Sequence, residues 1–455
     1  MRFRICAGWV PLFALFGVSA CSPNDLVGAK PPYEVLERDR VESEAGAVAM
    51  YDGAISYFTQ AFHAGNRYLP VDNYVVASGI FADEFQPYGT FSGLDLDARR
   101  YVPASPYAVQ PGKTVYENLQ SARVAAMLAR QALVRYGREP LTPLRAHVMV
   151  LEAYTVLHLA ELFCSGVPLT EVPLDDDPVF SAGLTTAQLN ERALVLFDSA
   201  LALAGDSLRF ALAARVGKAR ALLNLGRFDD IATTLAAVPT TFQFATEHSA
   251  TIPSMMNVLG SVPGAVSVSS GEGGNGQPFS GIGDPRVPLA AGFVPTQALY
   301  TSAASATVLA SGIEARLAEA EAQLRAGDAS WLTTLNALRT SCTDAMTCPA
   351  PAPAGSGGTA GLPPLADPGS AAGRLNLVYS ERAFWLFATG HRQGDLRRLL
   401  RVYGRDQATV YPTGLYTSYS PILVDANYGD QVVLQLPTSE TQRHPTVKAC
   451  LNLGA

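Results

Sequence analysis

Residues 381–405 read ERAFWLFATGHRQGDLRRLLRVYGR, with six arginines, one histidine and an aromatic cluster in a single stretch. Helical periodicity divides this region in two. The first helix carries Leu377, Phe384, Trp385 and Phe387 and stops at Gly390. The second begins near Asp395, an acidic side chain favoured at a helix N-terminus. From there Leu396, Leu399, Leu400 and Tyr403 fall at i, i+3, i+4 and i+7 as one apolar stripe, and Gly404 closes the helix. Arg397, Arg398 and Arg401 take flanking and opposite positions, where guanidinium groups are expected to be solvated or paired while their stems cover apolar surface. No glycine-rich phosphate loop accompanies them, so the stretch reads as scaffold, with His391 as a hydrogen-bonding turn residue.

The same period runs outward from this stretch. AHVMVLEAYTVLHLAELF (146–163) places Val148, Leu151, Thr155, His158 and Leu162 on one face. RFALAARVGKARALLNLGRFDDIATTLAAVP (209–239) reads as a helix–turn–helix with Leu-Gly at the bend, and GIEARLAEAEAQLRAGDASWLTTLNALRTSC (312–342) repeats the pattern. The fold class predicted is mainly α: a tetratricopeptide-like helical repeat scaffold with long irregular loop insertions. Helices are expected mainly over 33–62, 115–240, 312–341 and 374–404, and loop-rich insertions over 63–112, 257–296 and 349–373. The last, PAPAPAGSGGTAGLPPLADPGSAAG, reads as a flexible surface loop.

A chain of 455 residues with 48% apolar and 16% charged side chains suits a folded globular protein, and its net charge of −7 argues against general nucleic-acid binding. Arg2 and Arg4, the apolar run ICAGWVPLFALFG and then VSAC have the layout of a secretory signal peptide over residues 1–20. The cysteine at the cleavage point resembles a bacterial lipobox, which makes Cys21 the expected lipidation site and 21–455 a single exported domain. Export permits oxidation of Cys164, Cys342, Cys348 and Cys450. Cys342 and Cys348 are the obvious local disulfide pair, leaving Cys164 and Cys450 by elimination. No CxxC or nearby histidine supports zinc, and the adjacent Asp175, Asp176 and Asp177 lack calcium-loop spacing. GEGGNG (271–276) is formally a GxGxxG but is not followed by a helix pattern, so no nucleotide is expected. There is no HExxH, no GxSxG and no defensible nucleophile–base set; no catalytic residue, metal or cofactor is assigned.

ERAFWLFATGHRQGDLRRL is similar to the C-terminal signature of SusD/RagB-like nutrient-uptake outer-membrane lipoproteins. Other segments resemble that family in its own order: ELFCSGVPLTEVPL (161–174), GDPRVPL (283–289), EARLAEAEAQLRAGDASWLTTLNALR (314–339) and LQLPTSETQRHPTV (434–447). Cys164 and Ser165 stand where Gly-Asp is usual, and His444 where Asn is commoner. The resemblance implies a lipid-anchored binding protein, not an enzyme, that faces the cell exterior. Such a protein captures an oligosaccharide or other polymer fragment and delivers it to a SusC-like TonB-dependent transporter. The alternative is a helical-repeat envelope scaffold for protein–protein assembly without a small ligand.

The ligand face is expected in FADEFQPYGTFSGLDLDARRYVPASPY (81–107), where Phe85, Tyr88, Phe91, Tyr101 and Tyr107 alternate with Arg99 and carboxylates, and Tyr300 could complete the wall. Aromatic planes beside hydrogen-bonding groups suit sugar rings, which have apolar faces and hydroxyl rims. Trp331 and Trp385 lie in helical segments and are expected in the core, so no tryptophan platform is foreseen.

Overall fold

Helix starts follow capping chemistry. The computed structural model describes residues 42–65, 71–88, 93–100, 112–137, 141–292, 294–341, 362–416, 427–443, 450–452 and 454. Helix α1 (Glu44–Phe62) opens on Ser43, whose hydroxyl accepts the Gly46 amide at 3.0 Å. Helix α2 (Tyr74–Ala82) opens on Asn73 and is buried at every residue. It lies inside the stretch 63–112 that was expected to be irregular. A helix apolar on all sides has no polar face, so its sequence shows no 3.6-residue period. The single turn α3 (Leu94–Asp97) leads to two long helices, α4 (Lys113–Tyr136) and α5 (Thr142–Leu162). Helix α5 is buried almost continuously from Ala146 to Leu162 and forms the centre of the bundle.

Thr185 and Gln188 form a capping box before α6 (Thr186–Ala204), followed by α7 (Leu208–Asn224) and α8 (Ile231–Leu235). After the short α9 (Val258–Ser261), Ser311 caps α10 (Gly312–Ala326), which ends on Gly327 at φ 74° and turns into α11 (Ser330–Ser341). Helices α12 (Ala371–Trp385), α13 (Arg392–Arg401) and α14 (Thr438–Arg443) complete the order. Consecutive long helices pack as hairpins: α4 on α5, α6 on α7 and α10 on α11, with α5 on α6 and α1 on α4 joining them. The junction of α5, α6 and α7 leaves room for no side chain at Gly217, where a Cβ would lie 2.3 Å from Phe197 and 2.8 Å from Tyr154.

Among the described residues, four two-stranded antiparallel ladders stitch the loops to this frame. They pair β1 (Phe85–Pro87) with β5 (Val266–Val268), β2 (Val167–Pro168) with β3 (Gly183–Leu184), β4 (Gln243–Thr246) with β8 (Thr307–Ser311), and β6 (Leu289–Ala290) with β7 (Thr296–Gln297). The β1–β5 register sets Phe85 opposite Val268, tying the insertion around residue 85 to the one around 270. Cys164 and Cys450 form a disulfide with Cα atoms 5.6 Å apart, and the Leu451 amide bonds the Ser165 carbonyl beside it at 2.8 Å. Trp331 and Trp385 are both in the core. Among the described residues no helix is long and apolar enough to cross a membrane.

Candidate functional site

The arginines of the 381–405 stretch, expected on a solvated or flanking face, are instead largely inside the protein. Arg382, Arg392, Arg397 and Arg398 are all buried. Each is matched. Arg382 donates twice to Asp395 at 2.8 Å, and Arg398 donates to Asp395 at 2.7 Å and to Glu321 at 2.8 and 2.9 Å. Arg392 forms a bidentate pair with Asp83 at 2.5 and 2.7 Å, and Arg397 donates to the Phe163 carbonyl at 3.2 Å. Arg220 of α7 grips Glu161 and donates to the Gly390 carbonyl at 3.0 Å. Arg286 of the GDPR segment meets Glu381 at 2.9 Å, where Arg339 and the Trp385 indole also donate. Burial raises the Asp395 carboxyl, but Arg382 and Arg398 outweigh it and hold the group well below the usual carboxylate range. The stretch is therefore a scaffold, as expected, but one in which ion pairs lock α5, α7, α10, α12 and α13 from within.

Between α12 and α13 the chain turns through Ala388 at φ 59° and Gly390 at φ 77°. A non-glycine residue in that region is uncommon and needs support. Glu84 accepts the Ala388 amide at 3.2 Å, and the Tyr300 hydroxyl donates to the Ala388 carbonyl at 2.9 Å. Burial, reinforced by Asp83, pushes the Glu84 carboxyl up to about 8. This turn fixes the loop insertions onto the helical frame.

On that frame lies a groove of about 780 Å³, a size typical of ligand sites. Four segments build it: Gln60 at the end of α1 with Ala64 and Gly65 just after it, Asp72 before α2, Thr114 and Asn118 on α4, and 253–262 around α9. Polar groups face apolar patches of Ala64, Met256 and Val262, a mixture that suits a hydroxylated ligand with apolar faces. Asp72 has no cation paired with it among the described residues, and burial pushes its carboxyl up to about 6. The Asn118 amide donates to the Asp72 carbonyl at 2.9 Å and fixes that loop against α4. Tyr57, 51% exposed, precedes Gln60 by one turn on the same stripe of α1.

A buried polar knot holds the groove wall. Thr307 Oγ1 lies 2.6 Å from His63 Nδ1, 3.1 Å from His248 Nε2 and 3.2 Å from Asn257 Nδ2. Burial and then the neighbouring His248 keep His63 well below the usual histidine range, and burial lowers His248 to about 4. Both rings are neutral at pH 7, so the knot is held by hydrogen bonds and not by charge. Asn257 pairs with Ala64 across an isolated bridge, and α9 sits so close to the next loop that a Cβ on Gly260 would lie 1.9 Å from the Ser302 carbonyl oxygen.

No protein-family model matches the sequence, and no curated protein does either. Solved structures do match. A SusD-like carbohydrate binding protein from Bacteroides vulgatus superposes with a TM-score of 0.59 at 13% identity, over 89% of this chain and 97% of that one. A SusD/RagB family protein from Bacteroides thetaiotaomicron gives 0.60 at 14% identity, over 88% and 95%. B. fragilis NanU gives 0.61 at 10% identity, over 94% and 100%.

The chain has the SusD-like fold.

Within this SusD-like frame the residues expected at the ligand face separate. Phe85 is fully buried, its ring 5.4 Å from Phe387, and Tyr300 packs against His63 at 4.9 Å beneath the groove. Arg99 is 1% exposed and donates to the carbonyls of Pro412, Gly429 and Gln431, pinning the C-terminal loop under a Tyr411 ring at 4.9 Å. Tyr88 alone among the described members is exposed, at 39%, and its amide bonds Ala265 at 3.2 Å, three residues past Val262 of the groove. Phe91, Tyr101 and Tyr107 lie outside the described residues, as do Cys21, Cys342 and Cys348. Asp175–Asp177 are exposed, and Asp175 pairs with Arg135. The groove residues that sequence reasoning passed over had one local signal, the polar pair Thr114 and Asn118 at i, i+4.

Proposed function

We propose that this protein is a glycan-binding protein of nutrient uptake, held at the outer membrane through lipidated Cys21 and delivering its cargo to a SusC-like TonB-dependent transporter. The observation that carries the reading is the fold shared over about nine-tenths of the chain with proteins described as SusD-like and carbohydrate binding. The groove supports it, because its side chains offer hydrogen bonds on several sides of a cavity with apolar patches. The ligand enters between α1, α4 and the 253–262 segment, with Tyr57 and Tyr88 at its edges. The protein's role is capture, with the chemistry left to separate proteins.

A glycan array probed with the purified protein tests the reading. Retention of at least one oligosaccharide class, with competition by that free oligosaccharide, is the expected result. Membrane fractionation of Cys21→Ser tests the anchor. The variant is expected in the soluble or unprocessed fraction, and a processed, membrane-bound variant would overturn lipidation at Cys21.

A further inference from the structure

A second cavity, of about 460 Å³, opens between the first half of α12, α13 and the segments 275–277 and 405–410. It shares no lining residue with the groove. Its described walls carry no carboxylate. The acidic side chains nearest in sequence are engaged elsewhere: Asp367 holds Arg374 at 2.7 and 2.8 Å, Asp406 accepts the Ala408 amide at 2.8 Å, Glu381 accepts from Arg286 and Arg339, and Asp395 from Arg382 and Arg398. Behind the floor, Arg392 is matched by Asp83.

The walls are rich in donors. Arg405 donates from Nη1 to Asn376 Oδ1 at 2.9 Å, and no described carboxylate pairs with it. That bond orients the Asn376 amide and leaves its Nδ2 hydrogens over. Ser380 donates to Gln277 Oε1 at 3.0 Å, which leaves Gln277 Nε2 over in the same way and keeps the Ser380 oxygen as an acceptor. Leu377, Leu396 and Val410 supply apolar lining between these groups. A partly exposed guanidinium with no described carboxylate, flanked by two amide donors, favours a ligand that brings the negative charge itself.

We propose that this cleft is a second binding site, separate from the groove, for a small hydroxylated carboxylate of the acidic-monosaccharide class. The carboxylate lies against Arg405, and the ligand's hydroxyls bond the Asn376 and Gln277 amides and the Ser380 oxygen. One face of the ring rests on Leu377 and Leu396. The site stands whether or not the groove binds a glycan.

The test titrates the full chain with glucuronate, and with glucose and acetate as probes lacking the carboxylate and the hydroxyls, by calorimetry and ligand-observed NMR. Glucuronate is expected to bind roughly tenfold or more tightly than either, since a charge-assisted hydrogen bond and the hydroxyl contacts are both needed. Arg405→Gln is expected to weaken glucuronate by roughly tenfold or more, Asn376→Ala to weaken it less, and Asp72→Asn in the groove to leave it unchanged. Arg405 is only half-buried and Asn376 is its side-chain partner, so the two variants remove different parts of the site, and each can be checked for folding by its melting temperature. Glucuronate binding no better than glucose overturns the proposal. Acetate binding as tightly as glucuronate overturns its hydroxylated-ligand part, and affinity unchanged in both folded variants places the ligand elsewhere.

Discussion

Replacing Asp395 by asparagine probes the ion pairs that hold this fold together. The wild-type cluster of Arg382, Arg398, Asp395 and Glu321 sums to zero charge, all four side chains being buried. Asp395 accepts three hydrogen bonds, at 2.8, 2.8 and 2.7 Å. Asparagine keeps the shape but presents an NH₂ group to guanidinium donors and leaves one buried positive charge unbalanced. Removing one partner of a buried pair costs about 3–5 kcal/mol. Glu321 still reaches Arg382 at 3.8 Å, which places the loss near the lower end, about 3 kcal/mol. For a chain of 455 residues that lowers the melting temperature by roughly 3 °C. The pH dependence gives a second readout. The Asp395 carboxyl is held below its unfolded value, so the stability it contributes is fully present above about pH 4 and is lost as pH falls toward its folded value. Denaturant midpoints for wild type and variant should therefore differ most at neutral pH and converge in acid. Adding Arg382→Gln should restore part of the loss, because the orphaned charge is gone. A variant within 1 kcal/mol of wild type at pH 7 refutes the reasoning, as does a gap that persists unchanged below pH 3.

Three further outcomes follow from the structure. Cys450→Ser opens the Cys164–Cys450 bridge, which spans 286 residues, and should cost up to about 5 kcal/mol by denaturant midpoint; non-reducing peptide mapping that finds either thiol free contradicts the pairing. Burial holds the Asp72 carboxyl up at about 6, and its charged form is the one that accepts ligand hydroxyls, so groove affinity should fall as pH drops through that value, and Asp72→Asn should flatten the profile in calorimetric titrations. Gly260→Ala drives a Cβ into the Ser302 backbone and should displace the groove wall, reducing ligand affinity more than it lowers the melting temperature, whereas normal affinity would show that the wall tolerates the shift.

The paired helices were legible because a half-exposed helix writes its period into the sequence, as 209–239 and 312–342 do. Helix α2 was not, since YVVASGIFA is buried on every side and looks like any apolar run. The helical division of 381–405 was readable, but the depth of its arginines was not. Their burial depends on Asp83 and Glu321, partners far away in the chain whose charges only the fold brings near. The same holds for the ligand face. Aromatic content pointed to 81–107, yet Phe85 and Arg99 anchor loops from within, and the groove draws its polar groups from four separated segments. Composition signals which loops are rich in contacts; it does not say which side of the loop faces solvent.

Whether the groove captures a glycan is read from the affinity of groove variants for the oligosaccharide retained on the array. Asp72→Ala combined with Asn118→Ala, in protein that keeps its melting temperature, is predicted to weaken binding by roughly 2–4 kcal/mol, while Arg405→Gln leaves it unchanged. Affinity unaltered by the groove pair, or no oligosaccharide retained by correctly folded protein, would show that the groove is not a glycan site.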